Sequence, residues 1–416
     1  MIVIVGAGLT GLALAHELAA AGTDFLLLEA TSEPGGVIRS IRVDGRVLEL
    51  GPQRGRLSPL FLSFVEELGL AHRLLLAPAG LPLFIYARGR LRTVPFSLRG
   101  ALRGDLLPWS AWLRALLEPL AGPARPDESV ADFLSRHFGA TIHDELLGPL
   151  YGGIFASDTR DMLVRYTLRE TLASLGIADG SLLAAFARRA ADAPVPPACS
   201  FIDGMQELPR ALHQRHHARI RLDTPACTIA PDGHAWRVET EHDTIRADHV
   251  VLTTPADNAA ALLRPHAPDA ADRLQRLHYN RLALVHLLGD CRLHGFGYQV
   301  SFREPLHTRG VTFNASLFGR DGVYTAFLGG ARDPDLADQP DDRIGDIAAR
   351  EFHYVTGCDA RVLHVSRARI PAWDRSWSAL DGLELPRGIH LAANYESRIG
   401  IPGRFARARQ LAAILA

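Results

Sequence analysis

The stretch Ile2-Val-Ile-Val-Gly6-Ala-Gly8-Leu-Thr-Gly11 joins a short apolar run directly to three closely spaced glycines. The apolar run is typical of a buried parallel strand. Residues 12–21 are rich in leucine and alanine, and they predict a helix that ends at Gly22. A second apolar run, Phe25–Leu28, completes a strand–helix–strand unit that is about thirty residues long.

The three glycines are spaced as a dinucleotide-binding turn requires. Gly6 permits the tight turn, Gly8 lets the backbone approach a pyrophosphate, and Gly11 lets helix and strand pack closely. The free N–H groups at the helix N-terminus then face the phosphates. Glu29 ends the second strand, where a carboxylate accepts hydrogen bonds from the adenosine ribose. We therefore predict a dinucleotide site, because a glycine-rich turn without a ligand rarely has these neighbours.

Two further turns decide between FAD and NAD. Glu33-Pro-Gly-Gly36-Val37 follows soon after the ribose acid, and Gly51-Pro52-Gln53 ends the next apolar element. Both turns are placed to approach the pyrophosphate, ribityl chain or ring of a flavin. An ordinary surface turn is the alternative for either one alone, but their order behind the glycine turn favours FAD.

Composition limits the chemistry available to the 416 residues. A hydrophobic content of 47% supports a sizeable core divided among two or three lobes. The net charge of −1 offers no basic face for nucleic acid. All 45 basic residues are arginine, which excludes a P-loop lysine, a pyridoxal Schiff base and acid–base catalysis by lysine.

The cysteines and the apolar segments bear on the compartment. Four cysteines are scattered without a C-x-x-C pair and predict isolated reduced thiols of a cytoplasmic protein: Cys199, Cys227, Cys291 and Cys358. We expect no signal peptide, because the chain opens directly on a strand without a charged segment ahead of it. We also expect no membrane-spanning helix, because no apolar run reaches roughly 18 residues. Residues 109–117 favour either peripheral contact with the inner face of the cell membrane or ordinary core packing.

The order of the segments predicts an α/β + α fold, with a split Rossmann-like FAD-binding domain, an antiparallel-sheet substrate domain and a helical lobe. The FAD-binding domain is expected in three pieces, 1–75, 196–260 and 386–416. Residues 76–195 are expected to form the helical, membrane-facing lobe, and residues 261–385 the substrate domain. Strands of that domain are predicted at 282–288, 296–302, 309–314 and 323–329.

Further motifs carry a resemblance that extends over nearly the whole chain. They begin at Phe84, Asp127, Pro149, Gly204, Gly295 and Phe327, and include Pro149-Leu-Tyr-Gly-Gly-Ile-Phe-Ala-Ser-Asp158 and Gly295-Phe-Gly-Tyr298. With the amino-terminal turns, they resemble the flavin amine oxidase superfamily and, within it, the oxygen-dependent, FAD-containing protoporphyrinogen oxidase family. The resemblance implies the same three lobes in the same order.

The resemblance also implies the cofactor contacts, residue by residue. They lie in the three turns, at the ribose acid, at a backbone position that meets the adenine (Ala226) and in a segment over the isoalloxazine ring. The residues are Gly6, Ala7, Gly8, Leu9, Thr10, Gly11, Glu29, Gly36, Val37, Gly51, Pro52, Gln53, Arg54, Ala226, Asn394, Ile399, Gly400 and Ile401.

For the substrate, the resemblance implies that Arg99 pairs with a propionate of a porphyrinogen, as a guanidinium grips a carboxylate. Taken alone, Arg99 is more typical of a solvated arginine. Phe296 is placed to stack on a pyrrole ring, with core packing as the alternative. The positions implied to line the macrocycle are Phe296, Gly297, Gln299, Thr312 and Phe327.

The implied reaction is oxidation of protoporphyrinogen IX to protoporphyrin IX, with O2 as acceptor and three H2O2 as product, the penultimate step of haem biosynthesis. No acid or base residue is assigned, because the flavin carries the chemistry. Oxidation of coproporphyrinogen III and a non-catalytic flavin- or porphyrin-binding protein are the alternatives, and a homodimer stays open. We expect no metal site, since His213, His216 and His217 fit a solvated helix.

Overall fold

The computed structural model describes residues 1–95, 100, 104–174, 181–182, 196–396 and 400–416. Two large sheets organise this part of the chain, one parallel and one mostly antiparallel. The smaller sheets connect or flank them. Their strands are Ser40–Val43 with Arg46–Glu49; Gly55–Arg56, Ala198–Phe201 and Leu74–Leu76; and Thr228–Asp232, Ala235–Glu239 and Thr244–Ala247.

Five parallel strands form the cofactor sheet, which carries the amino-terminal turn. Ile2 pairs with Phe25 on one side and with His249 on the other, so the first strand is central. Its four residues are all buried, as a parallel sheet covered on both faces requires. The sheet confirms the predicted split Rossmann-like fold. Its strand order is Ile220–Arg221, Phe25–Leu28, Ile2–Val5, His249–Leu252 and Ile389–Leu391.

Helices from both ends of the chain cover one face of the cofactor sheet. Leu9–Ala20 follows the glycine turn and packs against the last helix, Ile401–Leu415. The rings of Phe64 and Phe405 stack with centroids 4.0 Å apart, which fixes the helix Pro59–Glu67 in the same layer. The carboxyl-terminal segment therefore returns to the amino-terminal turn.

Seven strands form the second large sheet, here called the substrate sheet. Its pairings are antiparallel except for that of Gly297–Val300 with Leu83–Ala87. The helix Asp341–Thr356 covers one face, where Tyr298, Val311 and Phe352 are buried together. The opposite face is turned away from this helix. The strand order is Ala360–Pro371, Tyr279–Gly289, Val323–Gly329, Thr308–Thr312, Gly297–Val300, Leu83–Ala87 and Arg90–Thr93.

The segment 76–195, expected to be helical, differs from that expectation at its start. Leu83–Ala87 and Arg90–Thr93 form a hairpin that extends the substrate sheet. Arg88 and Gly89 both have positive φ, which allows the two-residue turn. The helices described in the rest of the segment are Trp109–Ala115, Val130–Phe138, Ala140–Ile142, Gly148–Phe155, Val164–Thr167 and Arg169–Ser174, with a π-helix at His143–Leu147.

The remaining helices lie in the other two lobes: Glu207–His216, Ala256–Leu263, Pro268–Gln275 and Asn314–Phe318. Short 3-10 turns occur at Ala71–Arg73, Glu118–Leu120, His217–Arg219, Leu336–Asp338 and Arg375–Leu380. Across the described ranges, no helix combines the length and the apolar character that crossing a bilayer would need.

The expectation of four isolated thiols is wrong for two of them. Cys291 and Cys358 form a disulfide, although 67 residues separate them in sequence. Cys291 follows the strand Tyr279–Gly289, and Cys358 follows the helix Asp341–Thr356, which packs on that strand. The two cysteines meet because both elements end at the same edge of the sheet. Cys199 and Cys227 are free.

Candidate active site

The glycine turn has the close geometry that a dinucleotide site needs. Gly6 has φ +108°, a conformation that side chains other than hydrogen rarely adopt. A Cβ at Gly11 would overlap the carbonyl oxygen of Gly6, so helix and strand meet at this point. Around Gly8, by contrast, a Cβ would meet no described protein atom within 4 Å. The turn therefore presents open backbone where a diphosphate would approach.

The first helix offers its amides to that open space. It begins at Leu9 with Gly8 as N-cap, and no side chain caps it. Uncapped N–H groups at a helix start carry partial positive charge and bind anions readily. Leu9 and Thr10 are buried in the first turn, so it is their backbone that is offered.

Glu29 lies at the carboxyl end of the second strand, directly beside the turn. Its Oε2 accepts a hydrogen bond from the Ala7 amide at 2.7 Å, and its Oε1 accepts from the Thr31 amide at 2.9 Å and the Thr31 hydroxyl at 2.8 Å. A carboxylate has about four acceptor positions, so capacity remains for a sugar hydroxyl. The Thr224 amide donates to the Glu29 carbonyl oxygen at 2.7 Å, which brings the partly buried Ala226 segment alongside.

The second and third turns fold back onto the first. The Gly35 amide donates to the Ala7 carbonyl oxygen at 2.8 Å, and a Cβ at Gly36 would lie 3.3 Å from the Gly8 Cα. A Cβ at Gly51 would overlap the Val37 carbonyl oxygen. The Val37 side chain itself is 53% exposed, which is unusual for an apolar residue surrounded by close backbone contacts. The structure thus brings all three turns to one place.

Pro52, Gln53 and Arg54 lead from these turns toward the substrate sheet. Pro52 is exposed, whereas Gln53 is buried and donates to the Glu49 carbonyl oxygen at 2.8 Å. Its Oε1 accepts from Asn314 Nδ2 at 3.1 Å. Gln53 therefore bridges the two lobes through its side chain, and only its backbone is available to a cofactor.

Arg54 reaches the substrate sheet itself. Its Nη1 lies 3.4 Å from Thr312 Oγ1, and its guanidinium carbon is 5.4 Å from the centre of the Phe296 ring. Burial, together with the neighbouring charge of Arg56, lowers the pKa of Arg54 to about 10. The turn after Gly51 and the substrate sheet therefore meet at this arginine.

Four of the five residues expected to line a macrocycle share one face of the substrate sheet, whereas Phe296 precedes the strand Gly297–Val300 and packs against the apolar cluster of Leu317 and Phe318. Gly297 pairs with Thr312, and Gln299 pairs with Gly310, which pairs in turn with Phe327. Alternate residues point to opposite faces of a strand, and Tyr298 and Val311 fill the core on the other side. A Cβ at Gly153 would lie 2.9 Å from Gln299 Oε1, so the helix Gly148–Phe155 borders this face.

The closing segment lies at the start of the last helix. Gly400 is the N-cap with φ +85°, and Ile401 is buried. The Asn394 carbonyl oxygen accepts a hydrogen bond at 3.1 Å from Arg404, whose pKa burial lowers to about 10. Arg99 and Ile399 lie outside the described residues.

Several residues with a role in this geometry were missed from sequence. Thr253 Oγ1 donates to the Gly6 carbonyl oxygen at 2.7 Å and braces the glycine turn. A threonine just after a predicted parallel strand was the available signal. The sequence holds no such signal for Asn314 and Arg56, because their contacts depend on strands that are distant in sequence.

The three histidines that were expected to be solvated differ among themselves. His216 is partly buried, its Nε2 lies 3.0 Å from His16 Nδ1, and burial lowers its pKa to about 4. His217 is exposed. Over the residues that the structure describes, no three histidine, cysteine or acidic side chains are grouped to hold a metal ion.

These residues fit FAD by their own geometry. Three turns, an uncapped helix start and a fixed carboxylate converge at Gly8, where the backbone is open. A family model described as flavin containing amine oxidoreductase matches residues 9–382. Protoporphyrinogen oxidase of Bos taurus is 30% identical over 371 residues, covering 79% of this chain and 77% of that protein. Protoporphyrinogen oxidase 1 of Spinacia oleracea is 28% identical over 400 residues, covering 85% and 70%.

Solved structures agree on the fold. A crystal structure from Exiguobacterium sp., provisionally named a protoporphyrinogen oxidase, superposes with a TM-score of 0.80 at 23% identity, covering 100% of this chain and 98% of that chain. Reduced UDP-galactopyranose mutase gives a TM-score of 0.75 at 16% identity, covering 100% and 93%. The chain belongs to the flavin-containing amine oxidoreductases and, within them, to the protoporphyrinogen oxidase family, and it is an FAD-dependent oxidase.

Proposed function

We propose that this protein oxidises protoporphyrinogen IX to protoporphyrin IX, the penultimate step of haem biosynthesis. The supporting observation is the junction at Arg54, where the turn after Gly51 meets Thr312 of the substrate sheet and the ring of Phe296. The substrate loses six electrons and six protons, and three O2 accept them to give three H2O2. The names of the Bos taurus and Spinacia oleracea relatives support the same reaction.

The protein's own residues bind and orient the macrocycle. Bound FAD supplies the acceptor for hydride from a meso carbon. Phe296 offers an aromatic face to a pyrrole ring, and Gln299, Thr312 and Phe327 line the sheet beside it. Arg99 is proposed to pair with a propionate. No lysine occurs in the 416 residues, so positioning, and not lysine acid–base chemistry, is the contribution of the chain.

A second candidate substrate is coproporphyrinogen III, which has four carboxylates where protoporphyrinogen IX has two. The specific observation in its favour is the pair Arg54 and Arg56, both close to the Phe296 ring. Additional cations around the site favour a substrate with additional carboxylates. The two macrocycles are therefore compared directly in the experiment below.

Purified FAD-loaded protein is incubated separately with each porphyrinogen, and porphyrin fluorescence is followed together with oxygen uptake. The proposal expects one O2 consumed for each two electrons removed, at a rate well above autoxidation. A yellow protein whose flavin is not bleached by either macrocycle in the absence of oxygen would instead indicate a non-catalytic flavin- or porphyrin-binding protein.

We also propose peripheral contact with the surface of the cell membrane. Near the helix Trp109–Ala115, large apolar side chains are exposed: Trp109 at 75%, Leu116 at 67% and Leu120 at 83%. Apolar side chains on a short helical segment can enter the boundary of a bilayer. Sedimentation with anionic lipid vesicles tests the contact, since Trp109→Ser with Leu116→Ser is expected to reduce it. Light scattering on the same sample tests for a homodimer.

A further inference from the structure

Two arginines and one phenylalanine form a compact cluster at the junction of the lobes. Arg54 follows the Gly51-Pro52 turn, and Arg56 lies on the short strand Gly55–Arg56, which pairs with Ala198–Phe201. Their guanidinium carbons lie 5.4 Å and 5.5 Å from the centre of the Phe296 ring. One aromatic ring is therefore within cation–π distance of two positive charges.

Neither arginine of this cluster has an acidic partner within the described part of the chain. The side-chain hydrogen bonds found for them are from Arg54 to Thr312 Oγ1 at 3.4 Å and from Arg56 to the Pro196 carbonyl oxygen at 3.2 Å. Arg320, which is buried elsewhere in the molecule, differs, because it pairs with Glu49 at 2.7 Å. Two adjacent cations without an anion are unfavourable where one of them is withdrawn from water, as Arg54 is.

The unfavourable effect of an unpaired charge is strongest at Arg54. Removal from water lowers the pKa of its guanidinium to about 10, and repulsion from Arg56 acts in the same direction. The pKa of Arg56 is lowered as well, first by burial, although its side chain keeps contact with solvent. Both effects would be relieved by one negative charge between the two groups.

The position of the cluster decides which anion fits. The diphosphate site lies at Gly8 and the first helix start, which are the open and uncapped elements. Arg54 instead contacts Thr312 and Phe296. Thr312 belongs to the substrate sheet, and Phe296 is the residue just before the strand Gly297–Val300 of that sheet. The anion is thus expected on the substrate side, beside an aromatic face that suits a flat ring.

We propose that Arg54 and Arg56 form a carboxylate clamp for an acidic side chain of the substrate, while Phe296 packs against the ring that carries it. The clamp rests on the proposed porphyrinogen oxidation and adds a second carboxylate anchor to Arg99. Each guanidinium can donate two parallel hydrogen bonds to a carboxylate, so the pair selects acidic side chains over neutral ones of the same size.

The test compares protoporphyrinogen IX with its dimethyl ester, which has the same ring without the charges. FAD-loaded wild-type protein is compared with Arg54→Gln, Arg56→Gln and Arg54→Lys. The ratio of kcat/KM for the acid to kcat/KM for the ester should fall about ten- to a hundredfold in either Gln variant, the range for a lost charge-assisted hydrogen bond. Arg54→Lys keeps the positive charge but loses the paired N–H donors of the guanidinium, so its acid-to-ester ratio should lie between those of the wild-type protein and Arg54→Gln.

Two controls keep the result specific. Arg264→Gln removes an exposed arginine that pairs with Asp272 on the surface, and it should leave the acid-to-ester ratio unchanged. Flavin absorbance is measured for every variant. Arg56 is exposed, so Arg56→Gln should fold even if Arg54→Gln does not. An unchanged ratio in Arg56→Gln would overturn the clamp, and loss of flavin without a change in the ratio would assign the pair to the cofactor.

Failure of the proposed function is recognised separately. If the wild-type protein oxidises neither protoporphyrinogen IX nor coproporphyrinogen III, the proposed porphyrinogen oxidation is wrong. Binding of protoporphyrin and of its dimethyl ester is then measured by fluorescence. A preference for the acid that disappears in Arg56→Gln would still support a carboxylate clamp. Equal binding of acid and ester by the wild-type protein would overturn it.

Discussion

Arg320 and Glu49 form an ion pair of 2.7 Å between the two lobes, with 6% and 1% of their side chains exposed. Glu49 ends a strand of the cofactor side, and Arg320 precedes the strand Val323–Gly329 of the substrate sheet. Glu49 also accepts from the Met205 amide at 3.0 Å. A buried charge pair thus lies close to the Gln53–Asn314 bridge and fixes how the lobes meet.

Removing one member of this pair should be costly. Arg320→Met leaves Glu49 buried without its cation, and we expect the free energy of unfolding to fall by about 3–5 kcal/mol. Urea denaturation measures the change. The double variant Arg320→Met with Glu49→Leu should recover most of the loss, because no buried charge remains. A single variant as stable as the wild-type protein would show that water reaches the pair.

The two glycines Gly8 and Gly11 should respond differently to alanine. Gly8 has φ −66° and no described atom within 4 Å of an added Cβ, so Gly8→Ala should fold normally yet lower FAD affinity by about tenfold or more. Gly11→Ala would push against the Gly6 carbonyl oxygen and should destabilise the flavin-free protein by about 1–3 kcal/mol.

Thermal unfolding of the flavin-free variants and fluorescence titration with FAD separate the two effects. Normal FAD binding by Gly8→Ala would mean that the diphosphate does not approach this backbone.

His286 should make stability depend on pH. It is fully buried beside Thr325, and burial, followed by the charges of His364 and Arg320, lowers its pKa to about 3 from 6.5. The unfolded chain therefore binds a proton below about pH 6.5 that the folded protein rejects. The free energy of unfolding should fall as pH drops from 6.5 toward 3, by on the order of 4 kcal/mol in total.

Urea midpoints measured between pH 7 and pH 4 check this dependence. His286→Gln should show a shallower slope than the wild-type protein over that range, while His216, whose pKa is also lowered, contributes equally to both. Identical slopes would place the acid sensitivity elsewhere.

The disulfide should contribute to stability through the loop that it closes. Cys291 and Cys358 are 67 residues apart, and restricting a loop of that length in the unfolded chain is worth about 4 kcal/mol. The Cys291→Ser, Cys358→Ser double variant should lose that amount in denaturation, whereas Cys227→Ser, at an exposed free thiol, should not.

Alkylation under denaturing conditions counts the thiols directly. Two thiols should react before reduction and four after it, because the other two are joined. Four reactive thiols without reduction would restore the view, taken from sequence alone, that every cysteine is free.

Local features made much of this fold predictable. The glycine turn, its strand and helix, and Glu29 lie within thirty residues, where spacing alone fixes the relative positions. The strand predicted at 323–329 is present as Val323–Gly329, because hydrophobic patterning also acts locally. The turns at Gly36 and Gly51 were assigned to the cofactor by the same kind of order along the chain.

The contacts that join distant segments depended on the tertiary structure. Arg54 and Phe296 are 242 positions apart, since 296 − 54 = 242, and nothing near either residue indicates their contact. The disulfide between Cys291 and Cys358 and the hairpin at 83–93 in the substrate sheet were missed for the same reason. Sequence by itself determined the cofactor turn, because its geometry is set by neighbouring residues. Only the tertiary structure decided the cation pair and the lobe bridge, because those require strand register across the whole sheet.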